Sequence, residues 1–205
     1  LKCRDSILKN KEVDFNWRHQ VLKSVHQMIH TFYCLPVKAR SCKNLLAIIQ
    51  RCWDKNTDRF FSPVHYYMTL AQVTDHLLYL LSGQDIESSH GTLKECISSW
   101  IPGLNLELTA YYQLVEWRNT SYKVTKFVVD EHAEALQALQ YTHLLVSFQF
   151  YGRIPEEIEI RVLLTGKRIC FYPKEVDLSA AVDYLYLLME SLRKPLGSIP
   201  QIAIQ

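Results

Sequence analysis

Across Glu107–Gly152, ELTAYYQLVEWRNTSYKVTKFVVDEHAEALQALQYTHLLVSFQFYG, the hydrophobic residues change their spacing. Upstream they recur every three or four residues, the period of a helix face, and just beyond they form runs of β-branched and aromatic residues that suit strands. The stretch is therefore a seam between two kinds of structure, and any fold proposed for the chain has to accommodate both.

On the helical side, Phe15, Trp17, Val21, Leu22, Val25, Met28, Ile29 and Phe32 predict an amphipathic helix from Val13 to Tyr33, ended by Pro36. A second helix is expected from about Val37 to Trp53, with Leu45, Leu46, Ile48 and Ile49 inward, and the polar run Asp54 to Asp58 reads as its connection. Ser62-Pro63 and Ser82-Gly83 bracket a third helix with the periodic residues Val64, Tyr67, Met68, Ala71, Leu77, Leu78 and Leu81. Thr92-Leu93-Lys94-Glu95 has the form of a capping box opening a short helix that Pro102-Gly103 closes. Helices are then expected over Leu106 to Asn119, Tyr122 to Val129 and Asp130 to Leu144, although Val124, Thr125 and Phe127 individually favour strand.

Beyond the seam, Leu145 to Tyr151, Ile158 to Leu164 and Arg168 to Tyr172 read as strands, with a turn at Thr165-Gly166, and Asp177 caps a final helix from Leu178 to Arg193. The expected fold is one mainly α domain over residues 1–205. It comprises a helical part over 1–144, then a small C-terminal antiparallel β-meander, a closing helix and an extended tail over 145–205.

Hydrophobic residues at 48% and charged residues at 21% are ordinary globular values and exclude wholesale disorder. No apolar run reaches the roughly 18 residues that a membrane span needs, since the longest, Tyr141 to Tyr151, is interrupted by His143, Ser147 and Gln149. Six cysteines are scattered without a Cys-x-x-Cys pair, which, with no visible signal or membrane segment, suggests a reducing, cytoplasmic location with buried thiols. Residues 1–60 carry 12 Lys and Arg against 5 Asp and Glu, net +7, leaving 11 against 16, net −5, for residues 61–205. A basic third joined to an acidic remainder can meet phosphates on one face and a basic partner on another, or can dock on itself.

Within the basic third, Lys43, Arg51 and Lys55 align on one face if the second helix reaches Lys55, with Arg59 a further four residues on. Lys38, Arg40, Trp53, Phe60 and Phe61 give the segment the mixed basic and aromatic character of a nucleic-acid surface. A solvated basic helix face has the same composition. His26, His30 and Cys34, with His19 a heptad upstream, line one side of the first helix and are ligand types that suit zinc. The set lacks a fourth ligand, so packed or solvated histidines and no metal or other cofactor are expected. Phosphate-cradling glycine loops, Gly-x-Ser-x-Gly and His-Glu-x-x-His are all missing from the sequence. The adjacent carboxylates Asp130-Glu131 and Glu156-Glu157 point apart, and Asp75-His76 lacks a third group.

Leu114-Val115-Glu116-Trp117-Arg118-Asn119, placed at the end of an expected helix, resembles the start of the active motif of HEPN-superfamily helical bundles. The resemblance implies a ribonuclease in which Arg118 and Asn119 belong to the site, the arginine steadying the scissile phosphate while a histidine a few residues on moves a proton. That histidine is absent here, since its positions hold Lys123, Val124 and Thr125. Arg59 and His65 satisfy the bare spacing, but Pro63 places a helix start between them. The residues taken together lead to the expectation of a non-catalytic binding and assembly module within a protein complex that handles nucleic acid. A HEPN-like ribonuclease and a helical metal-binding protein are the alternatives.

Overall fold

The computed structural model describes residues 2–82, 90–118, 120–131 and 133–193. It places helices α1 (Lys2–Tyr33), α2 (Cys42–Cys52) and α3 (Pro63–Ser82) first. Strands β1 (His90–Ile101), β2 (Leu106–Arg118) and β3 (Ser121–Val128), the crossover helix α4 (Ala133–Tyr151), strands β4 (Glu157–Val162) and β5 (Arg168–Phe171), and helix α5 (Val176–Arg193) follow. The five strands form one mixed sheet in the order β1-β2-β3-β4-β5, with β3 and β4 parallel and the other neighbours antiparallel. One hydrophobic core joins α1, α2 and α3 to Leu114, Phe127 and Leu163 of the sheet side. A second joins α4 and α5 to Ile97, Tyr112, Val115, Val124 and Ile158. The architecture is helix–sheet–helix, with the sheet in the middle layer.

This corrects the expected mainly α-helical bundle with a small C-terminal meander. Three of the segments read as helices, opening at Thr92, Leu106 and Tyr122, are the strands β1, β2 and β3. The reason lies in β2. Leu106, Leu108, Ala110 and Tyr112 alternate with Glu107, Thr109, Tyr111 and Gln113, and then the alternation slips by one residue: Ala110, Tyr112 and Val115 share one core while Leu114 belongs to the other. A strand that changes face mid-length spaces its apolar residues at twos and threes, which imitates a helix.

Gln113 closes the slip. Its Oε1 accepts the Phe127 backbone N–H at 2.8 Å and its Nε2 faces the Phe127 carbonyl at 3.4 Å, so the side-chain amide stands in for a missing ladder partner. Its Nε2 also contacts His26 Nε2, tying α1 to the irregularity. Pro102-Gly103, expected to close a helix, instead turns the β1–β2 hairpin, with Asn105 in the left-handed region (φ 52°).

The opposite error occurs in α4. Leu145 to Tyr151 looks like a strand but forms the second half of this helix. Parallel β3 and β4 need a crossover, and a helix nucleated in the Ala- and Leu-rich first half extends at little further cost. Gly152 stops it in the left-handed region (φ 69°), donating its N–H to the Phe148 carbonyl at 2.9 Å. Inside, Ser147 of α4 is fully buried and lies 2.9 Å from the Tyr112 hydroxyl, fastening the crossover helix to β2.

The helical layer follows expectation more closely. Arg40 donates to the Tyr33 and Leu35 carbonyls at 2.7 and 3.1 Å, capping α1, and its guanidinium lies over the Tyr33 ring. A 3-10 turn at Val37–Ala39 and the Ser41 N-cap, whose hydroxyl accepts the Asn44 N–H, start the second helix later than predicted. The Asp54–Asp58 connection is stitched to α1, where Gln20 donates to the Asn56 carbonyl and Ser24 accepts the Asp54 N–H. Ser62 caps α3 by accepting the His65 N–H, and His76 donates to the Leu163 carbonyl at 2.8 Å, anchoring α3 beside the Gly166 turn. The Ser82-Gly83 stop has its Gly83 outside the described residues, as does the tail from Lys194.

Candidate functional site

The cations singled out in the sequence do not form one stripe. α2 ends at Cys52, so Lys55 lies on the following loop rather than on the helix face. Arg40 is committed to capping α1. Trp53 and Phe60 are buried in the aromatic cluster around Tyr66, which takes them away from any base-stacking role. Lys38, Lys43, Arg51 and Lys55 are exposed, and Arg59 is half-buried. Two open grooves flank α2. One of about 710 Å³, towards α3, is lined by Lys43, Leu46, Ala47, Leu70 and Thr74 among others. A smaller one, towards α1, is lined by Thr31, Leu35, Ala47 and Arg51.

On α3 the residues expected to face inward divide: Leu77, Leu78 and Leu81 pack into the core as expected, while those of the first half of the helix do not. α3 turns Tyr66, Thr69, Val73, Leu77 and Leu80 inward, whereas Val64, Tyr67 and Met68 are 66%, 63% and 58% exposed, and Ala71 also faces out. α3 is apolar on both sides, so periodicity alone could not choose which side the sheet covers. Leu46 of α2, expected inward, is likewise exposed.

A second concentration of chemistry lies under the helical layer, on the face of the sheet towards α1. Register puts Glu116 opposite Lys123, Lys123 opposite Glu157, Thr125 opposite Glu159, and Glu159 opposite Cys170. The Lys123 ammonium is 2.6 Å from Glu159 and 3.4 Å from Glu157. Arg161 and Arg168 each approach Glu159 Oε1 at 2.5 Å, as close ion contacts rather than aligned hydrogen bonds, and Arg168 reaches Glu157 at 2.7 Å. Glu159 is fully buried. Burial alone would raise the Glu157 carboxyl, but Cys170, Arg168 and Lys123 outweigh it and hold the group below its ordinary range. Burial, followed by the adjacent Glu157, raises the Cys170 thiol and keeps it a poor nucleophile. Above, burial and then Glu116 push the Tyr33 phenol upward.

Glu157, Glu159 and Cys170 bring ligand atoms within 4.8 Å of one another. They do not suit a metal, because a cation would have to displace Lys123 and two arginines from the same carboxylates. The network is a clamp joining β3, β4 and β5. Its signal was present in the sequence as charged residues at every second position of Glu157-Ile-Glu-Ile-Arg161, one polar face of a strand.

On the opposite face, His143 of α4 is 2% exposed and donates from Nδ1 to the Leu139 carbonyl at 2.8 Å. Burial, reinforced by the nearby Lys126 ammonium, pushes it down to about 4 against two backbone carbonyls that act the other way. Burial also lowers Lys126 to about 8.

Of the remaining candidates, His30 and Cys34 come together with Sγ 3.8 Å from Nδ1, while His26 turns to Gln113. His19, His26 and His30 line a groove along α1. Arg118 ends β2 rather than the expected helix, and Asn119 lies outside the described residues. Asp75 is exposed while its neighbour His76 serves as the α3 anchor. Cys34, Cys42, Cys52, Cys96 and Cys170 are free thiols, with Cys34, Cys42 and Cys96 exposed, against the expectation that they would be buried. Among the described residues no helix is long and apolar enough to cross a membrane. No protein-family model matches the chain, and no curated protein matches it in sequence.

Proposed function

We propose that the chain is a non-catalytic binding and assembly module that docks a protein partner on the outer surface of its helical layer. The observation that carries this reading is the exposed row Val64, Tyr67 and Met68 on α3, with Leu46 nearby on α2. Single exposed apolar side chains are ordinary, but large ones clustered on neighbouring turns of one helix mark a surface that gains by being covered. Tyr and Met are also residue types enriched where proteins meet. The ionic groups under the helical layer support the non-catalytic part, since the half-buried Glu157 and the buried Glu159 are both engaged by cations. Lys38, Lys43, Arg51 and Lys55 around the same helix support nucleic acid elsewhere in such a complex. Three or four phosphate contacts would give a slope of log affinity against log salt of about −2 to −4.

The test is a Tyr67→Glu, Met68→Glu variant. Both positions face solvent, so its melting temperature should match wild type, while a protein recovered stoichiometrically with the wild-type chain is lost. A variant that folds and still recovers that protein, or a wild-type chain that recovers none, overturns the reading.

A further inference from the structure

We infer that the occupant of the α2–α3 groove is an acidic amphipathic helix of a partner protein; this rests on reading the helical layer as a docking face. Two packed helices leave between them a groove that a third helix can fill with one row of side chains. Here the groove, about 710 Å³, has Leu46, Ile49 and Leu70 as its apolar lining, with the small Ala47 and Thr74 allowing close approach of a backbone. Such a lining suits leucine-like side chains at helical spacing, and among the residues that form it there is no aromatic ring for a base to stack on.

Charge complementarity identifies the rest of the occupant. Cys42–Cys52 contains no carboxylate and carries Lys43 in this groove and Arg51 in the one towards α1, and Pro63–Ser82 contains one carboxylate, Asp75. Residues 37–82 together hold six Lys and Arg against three Asp. Lys43 itself lines the groove, one residue inside the N-terminus of α2, where the helix dipole adds positive potential. An incoming helix with Asp or Glu beside its apolar row meets attraction along its flank, and a basic one meets repulsion.

The experiment uses the full chain and fluorescence anisotropy with synthetic peptides of about 18 residues, long enough to be helical. One places Leu along one face with Glu on both flanks, and its counterpart carries Lys in place of Glu. The acidic peptide should bind at least about tenfold more tightly, and the preference should shrink as salt rises. Lys43→Glu should cut acidic-peptide affinity by about tenfold, and Leu46→Glu should remove binding; both side chains are exposed, so circular dichroism should show an unchanged fold. Equal binding of the two peptides, or affinity indifferent to both substitutions, overturns the inference. So does tighter binding of a peptide of residues 176–193, which would make a second copy the occupant, or of a single-stranded oligonucleotide competing at the same face. If Tyr67→Glu, Met68→Glu loses its protein partner while neither peptide binds, the docking face stands and the acidic helix falls.

Discussion

His143 makes a sharp test of how dry the sheet–α4 interface is. In the folded chain it titrates at about 4, against 6.5 for an ordinary histidine, chiefly because burial penalises the charged form. A histidine depressed in this way contributes stability that is fully present above the unfolded value and lost as pH falls from about 6.5 towards 4. Linkage with these two values gives a loss of about 2 kcal/mol between pH 7 and pH 5, and about 3 kcal/mol by pH 4. The upper window is informative because ordinary carboxylates are still largely ionised at pH 5. Urea denaturation at pH 7 and pH 5 should show the midpoint falling by about 1 M for wild type, taking a slope of about 2 kcal/mol/M. In His143→Phe the difference between the two pH values should largely vanish, whatever the variant's absolute stability. Lys126→Met removes the second cause of the depression and should make the wild-type fall smaller. If His143→Phe keeps the full fall, either water reaches this histidine or another one carries the effect, and the reasoning fails.

The ion clamp and the two glycines give further tests. Glu159→Gln leaves the buried Lys123 and the half-buried Arg161 with too little negative charge and should cost about 3–5 kcal/mol in urea denaturation. Replacing Glu159, Lys123 and Arg161 together by Leu and Met should cost much less, and a single-variant loss below about 1 kcal/mol would show that water already enters the clamp. Glu157, held below the ordinary carboxylate range, adds stability above its unfolded value that disappears as pH falls through its lower folded value, so Glu157→Gln should weaken the acid transition below about pH 4. At Gly152 an added Cβ meets nothing within 4 Å, whereas at Gly166 it would lie 2.6 Å from the His76 ring. Both are left-handed, so Gly152→Ala should lose about 1–2 kcal/mol for its backbone alone and Gly166→Ala clearly more, read as the difference in melting temperature.

The parts of this fold legible in sequence are those that local chemistry decides. Ser62-Pro63 opens α3, Thr165-Gly166 turns between β4 and β5, Pro36 follows the end of α1, and α5 opens beside Asp177, because caps, turn glycines and prolines act through the backbone within a few residues. Three kinds of information were not local. The slip at Gln113 made β2 resemble a helix until the pairing with Phe127 showed which backbone partner its side chain replaces. The strand-like second half of α4 stayed helical because parallel β3 and β4 must be bridged, a demand set by residues outside the helix. The third concerns the candidate surfaces. α3 has apolar residues on two sides, and packing against α1, α2 and the sheet side chose Tyr66, Val73 and Leu77 for the core and left Tyr67 and Met68 outside. The same packing drew Trp53 and Arg40 out of the expected basic face and assembled Lys123, Glu157, Glu159, Arg161 and Arg168 from three strands. Period and composition give each segment its apolar and charged residues, but which of them meet depends on strand order and helix facing, and those are properties of the whole chain.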